Sequence, residues 1–292
     1  MSDVRVSIIG GSGFYQIEGL VDVEEVRVET PFGPPSDAIV LGMLEGVRVA
    51  FLPRHGVGHR ILPTDVPFHA NIWALKQLGV EQIIAMNAVG SLREEIEPNH
   101  FVVPEQLIDR TRSRQHTFFG RGLVAHIGFD DPFCPVLSEL LVDKARSVGA
   151  TVHPGVMLIV VEGPAFSTRA ESILHRSLGA DVVGMTALPE AKLAREAEIC
   201  YAGLSMVTDY DTWGQEVESV SAEMVIQNIL RSIGTAWRAV REALPALPAS
   251  RECACGSALS RALITSAALV PEQTKRDLAP IIGRYMPVGA AT

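Results

Sequence analysis

The run from Ile199 to Val207, Ile-Cys-Tyr-Ala-Gly-Leu-Ser-Met-Val, shows no alternation of apolar and polar residues. Its length and its Tyr, Val and Ile content predict a strand buried on both faces, the condition of a central strand in an α/β sheet. The run passes directly into Thr208-Asp209-Tyr210-Asp211. Ligands of open α/β sheets bind beyond the carboxyl ends of strands. Two acids at such an end are therefore either a chemical apparatus or a pair of solvated loop charges.

Other strand ends bear on that choice. Val4 to Ile9 alternates and runs into Gly10-Gly11-Ser12-Gly13, a turn whose backbone N–H groups an anion can approach. As a dinucleotide fingerprint the turn is poor, because no regular helix with an acid about 20 residues on follows it. Val47 to Leu52 reads as a strand closed by Pro53-Arg54-His55-Gly56. There Arg54 and His55 offer two donors to a phosphate, and Gly56 allows close approach. Gln82 to Met86 is a further strand, ending in Asn87-Ala88-Val89-Gly90-Ser91. Each end taken singly is equally a plain surface turn, whereas all of them on one sheet edge would line a phosphate pocket.

Val156 to Val161 reads as a strand terminated by Glu162-Gly163-Pro164, and Ala180 to Val183 as a short one ending in Gly184-Met185-Thr186. Helical patterns fill the intervals at Thr64 to Leu78, Pro135 to Val148 and Leu188 to Ala197. Thr168 and Glu171 have capping-box spacing ahead of Ile173 and Leu174. A long helix follows Trp213, with Val225, Ile229, Ile233, Trp237, Val240 and Leu244 on one stripe. Residues 30 to 37 are a Pro/Gly-rich loop, and the polar stretch from Asp109 to His126 suits a long surface loop used between subunits. A Pro/Ala linker, Pro245 to Ser250, leads to a terminal helix from Pro271 to Tyr285. The expectation is an α/β fold: a single domain over residues 1–292, with its core at about 4–245, a C-terminal segment 246–292, and a twisted mixed β-sheet flanked by helices.

Composition narrows the partners. Of the 292 residues 47% are hydrophobic and 20% charged, which is ordinary globular composition. The formal net charge of -9 excludes a broad basic field for nucleic acid while leaving room for a local cationic pocket. No segment has the length and apolarity of a membrane span, and the first residues lack a secretory layout, so a soluble cytoplasmic protein is expected. Cys134 and Cys200 read as buried thiols. Cys253-Ala254-Cys255 holds too few ligands for a closed zinc site, and a bridge across one residue would be strained; it is a redox clip or plain thiols. No metal site and no cofactor are expected.

Gly10-Gly11-Ser12-Gly13, the segment Thr30 to Asp37, Arg54-His55-Gly56, Ala70-Asn71-Ile72-Trp73-Ala74-Leu75, Gly90-Ser91-Leu92-Arg93, Glu162-Gly163-Pro164 and Thr208-Asp209-Tyr210-Asp211 occur in consistent order. Together they resemble the 5′-methylthioadenosine phosphorylase group of the purine nucleoside phosphorylase superfamily, from about residue 4 to 245. The Cys-X-Cys of the tail is similar to that of archaeal heat-adapted members. The resemblance implies a homotrimer or homohexamer that converts 5′-methylthioadenosine and inorganic phosphate to adenine and 5-methylthioribose 1-phosphate. It also implies phosphate held by Ser12, Arg54, His55, Asn87, Ala88 and Thr186, and ribose against Met185. Phe166 and Ser167 would lie near the base, Asp209 and Asp211 would face the purine, and His126 would reach the methylthio group from a neighbouring subunit. Two positions depart from the pattern: adenine-specific members typically have Thr where Asn87 stands, and Ser12 replaces a usual Thr.

The chemistry fits these residue types. Cleavage of C1′–N9 builds positive charge on the sugar and negative charge on the purine, so it needs an anion beside one and a proton donor beside the other. Asp211 is expected to be the acid at N7, with its pKa raised by burial and its acidic neighbour, and Asp209 the acceptor of the 6-amino group. The competing activities are phosphorolysis of adenosine, of the 6-oxopurine nucleosides inosine and guanosine, or of 5′-methylthioinosine; hydrolysis without phosphate; and nucleotide binding without turnover. As a redox clip, Cys253 and Cys255 of the tail can form one bridge, and Cys134 and Cys200 can form another.

Overall fold

A computed structural model gives the structure of the chain and describes residues 4–11, 18–214 and 220–289. In chain order the strands are β1 (Val6–Gly10), β2 (Val21–Val26), β3 (Ile39–Leu44), β4 (Val47–Pro53), β5 (Gln82–Ser91), β6 (Phe101–Arg110), β7 (Val152–Val161), β8 (Val182–Gly184) and β9 (Cys200–Tyr210). The helices are α1 (Phe68–Gln77), α2 (Pro135–Ser147), α3 (Arg169–Ser177), α4 (Ala187–Glu196), α5 (Ala222–Ala243), α6 (Glu272–Asp277) and α7 (Ala279–Ile282).

The strands form a nine-stranded sheet in the order β2-β3-β4-β1-β5-β8-β7-β6-β9. β9 also pairs with β5 in parallel while pairing antiparallel with β6, so β5, β8, β7, β6 and β9 close into a ring. Closure removes the free edge that β9 would otherwise present. β1 lies parallel to both β4 and β5, and β5 parallel to β9. Their carboxyl ends therefore share one rim, bringing Gly10, Pro53, the Asn87–Ser91 stretch and Thr208 to the same side of the sheet.

Apolar side chains cover both faces. On one side α1, α4 and α7 contribute Ile72, Leu75, Leu188, Leu193 and Ile281 to one core cluster. On the other, α2 and α5 contribute Leu137, Leu141, Ile229 and Val240, joined by Ile8, Phe51, Ile84 and Leu204 from the strands. The expected α5 stripe packs into that second core along its length. Thr168 and Glu171 make both hydrogen bonds of the capping box on α3. No described helix is long and apolar enough to cross a membrane.

Several boundaries differ from expectation for identifiable reasons. The helix expected from Thr64 begins only at Phe68, behind Pro67. The single terminal helix expected from Pro271 is two short ones, because Pro280 cannot donate to the preceding turn and the chain leaves helical geometry at Leu278. β6 is a strand in place of loop up to Arg110, with Pro104 accommodated at a register irregularity against β7. β9 does not stop at Val207 but continues through Asp209 to Tyr210.

The four cysteines are free thiols, so neither bridge is formed. The Sγ of Cys200 lies 3.3 Å from that of Cys253, and the cysteine sulfurs converge as one group in place of two pairs.

Candidate active site

A cavity of about 570 Å³ opens at the shared rim of β1, β4, β5 and β9. Arg54, His55, Asn87, Ala88, Phe166, Ser167, Met185, Thr186, Asp209 and Asp211 all line it, as the sequence reading requires. Ser12 lies outside the described residues, although its neighbour Gly11 lines the cavity. His126 lies away from this lining, exposed, with its backbone N–H donating to Ala262.

Arg54 anchors one end. Its guanidinium is fully buried and donates to Glu190 through two nitrogens, Nε at 2.8 Å and Nη2 at 2.7 Å, and through Nη1 to the Met86 carbonyl at 3.0 Å. Tyr201 donates its hydroxyl to the same Glu190 at 2.8 Å. Burial works against the guanidinium's charge, but Glu190 outweighs it and Arg54 stays firmly cationic. A side chain at position 11 would press on this group: a Cβ on Gly11 would meet Arg54 Nη1 at 3.3 Å and the Met86 carbonyl oxygen at 3.0 Å.

His55 differs from the donor expected. Burial and the positive charge of Arg54 push its pKa down to about 4, so the ring is neutral near pH 7. Its Nδ1 lies 2.9 Å from the Ile61 carbonyl oxygen, which can only accept, so the proton sits on Nδ1 and Nε2 is an acceptor. Such a ring suits the hydroxyl of monohydrogen phosphate. Across the cavity Thr186 Oγ1 donates to Asn87 Oδ1 at 3.4 Å, which leaves the Asn87 amide to donate elsewhere. Asn87 thus contributes N–H donors where a Thr would contribute a hydroxyl.

The opposite end is acidic. Asp209 and Asp211 are 4% and 3% exposed, so neither is a solvated loop charge. Burial pushes Asp209 up to about 6, helped by Asp211 and opposed by the Thr208 hydroxyl, which donates to Oδ1 at 2.7 Å. Gly90 is needed beside it, since a Cβ there would stand 2.8 Å from Asp209 Oδ2. Asp211 donates its backbone N–H to Ser91, but its buried Oδ2 has no hydrogen-bond partner among the described residues. An unpartnered buried carboxylate oxygen calls for a donor from a ligand.

Sequence reasoning missed Glu190 and Tyr201, which hold Arg54 from α4 and β9. Nothing in Leu188-Pro189-Glu190 marks the acid as internal, because the helix pattern reads equally well with Glu190 in solvent. It also missed the part of α5 that walls the cavity, Val225, Ile226 and Ile229. The stripe predicts that Val225 and Ile229 are apolar and covered, not that a ligand does part of the covering, and it leaves out Ile226, which is exposed.

The chain belongs to the phosphorylase superfamily, whose family model matches residues 5–244. Within that class the chain is similar to several methylthioadenosine phosphorylases. A Geobacter sulfurreducens S-methyl-5′-thioadenosine phosphorylase is 54% identical over 282 residues, covering 96% of this chain and 99% of its own. A methylthioadenosine phosphorylase structure from an Antarctic soil metagenomic library superposes with a TM-score of 0.91 at 44% identity, covering 96% of this chain and 99% of its own. An adenosine/methylthioadenosine phosphorylase from Schistosoma mansoni, solved as a double mutant with adenine, matches with a TM-score of 0.80 at 38% identity, over 85% of this chain and 93% of its own.

Proposed function

We infer that this chain is an S-methyl-5′-thioadenosine phosphorylase, a pentosyltransferase that cleaves 5′-methylthioadenosine with inorganic phosphate to adenine and 5-methylthioribose 1-phosphate. The observation that carries the reading is the polarity of one cavity. A buried guanidinium held by Glu190 stands at one end, and two buried carboxyls with an unpartnered oxygen stand at the other. The substrates have the complementary pattern, an anion and a purine bearing N–H groups. The relatives' names agree with this chemistry.

Phosphate is the co-substrate and no further cofactor takes part. Ser12, Arg54, His55, Asn87, the Ala88 backbone and Thr186 hold it beside C1′, where its charge stabilises the cationic sugar and its oxygen attacks. Met185 backs the ribose, and Phe166 and Ser167 flank the base. The raised pKa of Asp209 and the bare Oδ2 of Asp211 favour the reverse of the division expected from sequence. Asp209 carries the proton to N7, and Asp211 accepts from the 6-amino group. Large apolar side chains stand exposed at the cavity mouth, Leu62, Phe166 and Ile226 among them. They suit a homotrimeric or homohexameric enzyme in which His126 of a neighbouring subunit approaches the methylthio group. A soluble cytoplasmic setting fits the absence of a membrane-crossing helix among the described residues.

The deciding assay follows release of the free base, adenine from 5′-methylthioadenosine and adenosine and hypoxanthine from inosine, each with and without phosphate. The reading requires phosphate-dependent turnover with the methylthio substrate preferred. Turnover in phosphate-free buffer would make the chain a nucleosidase, and preference for inosine would make it a 6-oxopurine enzyme.

A further inference from the structure

Outside the cavity lining, four cysteines meet that no part of the reaction uses. Cys134 caps the N-terminus of α2, Cys200 is the first residue of β9, and Cys253 and Cys255 flank Ala254 at a tight turn of the C-terminal segment. Cys134, Cys200 and Cys255 are buried and Cys253 is partly so. Their Sγ atoms all lie within 4.8 Å of one another. A zinc ion bonded to tetrahedral thiolates at about 2.3 Å spaces its sulfurs about 3.8 Å apart, so the separations need change by only about an ångström or less to enclose one.

We propose that Cys134, Cys200, Cys253 and Cys255 form a tetrathiolate site for a structural zinc ion that ties the C-terminal segment to the core. The donor set is all sulfur, which selects a soft, tetrahedral cation over magnesium or calcium. The ligands come from three separate parts of the chain, and a closed four-ligand site of this kind contributes to folding and not to catalysis. Binding is a proton exchange: each thiol that enters as S–H releases its proton as its sulfur bonds the metal, with no change of oxidation state.

The site also touches the phosphate end indirectly. The Cys134 N–H donates to the Tyr201 carbonyl at 2.8 Å, and the Tyr201 hydroxyl holds Glu190 against Arg54.

The test uses the full-length chain, reduced, stripped with a chelator and titrated with cobalt(II), then zinc(II). The expected result is a thiolate-to-cobalt charge-transfer band with the visible absorption of a tetrahedral ion, saturating at one ion per chain and bleached by zinc. Elemental analysis should then find one zinc per chain and a higher thermal midpoint than in the stripped protein. Cys200→Ser should lose the band, and because that buried variant can fail to fold, Cys253→Ser at the more exposed ligand provides the second reading. It should lose the stoichiometric zinc while keeping the wild-type circular dichroism. A zinc-free reduced wild type after loading overturns the proposal. So does undiminished zinc in Cys253→Ser, which would place the ion elsewhere, or a native mass four hydrogens light, which would assign the cluster to two disulfides.

Discussion

The two ends of the cavity are built on opposite terms. At the phosphate end every strong group of the protein is already paired: Arg54 with Glu190 and Met86, Glu190 with Tyr201, and His55 with Ile61. At the purine end the carboxyls are as deeply buried but under-paired, with only Thr208 on Asp209 and nothing on Asp211 Oδ2. A paired end is pre-organised and gives an incoming anion a fixed charge. An under-paired end is held short of its hydrogen bonds until the base supplies them, so it can discriminate between bases and hold a proton.

The contrast breaks most severely at Glu190. Glu190→Gln leaves the buried Arg54 charge uncompensated, and losing one partner of such a pair costs about 3–5 kcal/mol. Chemical denaturation should register that loss, and the KM for phosphate should rise while the ranking of nucleosides stays unchanged. A changed base preference in this variant would show that the two ends are not independent.

At the acidic end the two carboxyls should separate. Asp209→Asn removes the proton donor, and kcat should fall about 10²-fold or more. The wild type should lose kcat as pH rises through the Asp209 pKa, about 6 in the free protein, because the acid works only when protonated and ionises above that value. That limb should vanish in Asp209→Asn. Asp211→Asn should instead keep the limb and move preference from adenine toward hypoxanthine nucleosides, since an amide can donate to O6. If Asp209→Asn moves the preference and Asp211→Asn abolishes the limb, the roles belong the other way round, as first expected. A smaller effect is expected at Gly90, where a Cβ would stand 2.8 Å from Asp209 Oδ2. Gly90→Ala should lower kcat about tenfold by displacing the acid, with the KM for phosphate little changed.

The same contrast explains what the sequence could show. The strand ends Arg54-His55, Asn87-Ala88 and Asp209-Asp211 were legible because parallel strands alternate with helices, and the chain then has few ways to arrange its carboxyl ends. The pairings that give those residues their character were not legible. Glu190 reaches Arg54 across 136 residues, and its place in a helix pattern does not reveal which way it faces. The tautomer of His55 depends on Ile61, in a loop whose path no periodicity describes. β2 was invisible for a related reason: Val-Asp-Val-Glu-Glu-Val is an exposed edge strand with little to bury. The four cysteines could be counted from sequence, but their convergence depends on how the tail returns to the start of β9.

The finest probe of the under-paired end is Thr208. Its hydroxyl donates to Asp209 Oδ1 at 2.7 Å and stabilises the ionised carboxylate. Thr208→Val keeps the shape and removes the donor, so the carboxyl loses support for its charged form and its pKa must rise. A hydrogen bond to a charged group contributes about 1.5–3 kcal/mol, and about 1.4 kcal/mol corresponds to one pKa unit. The descending limb of the kcat profile should therefore move about one unit toward higher pH, leaving more protonated acid at neutrality and a rate there equal to or above the wild type's. Movement of the limb to lower pH, or no movement, would mean that the limb belongs to a group other than Asp209, and the bound phosphate's own ionisation would then be the first group to titrate directly.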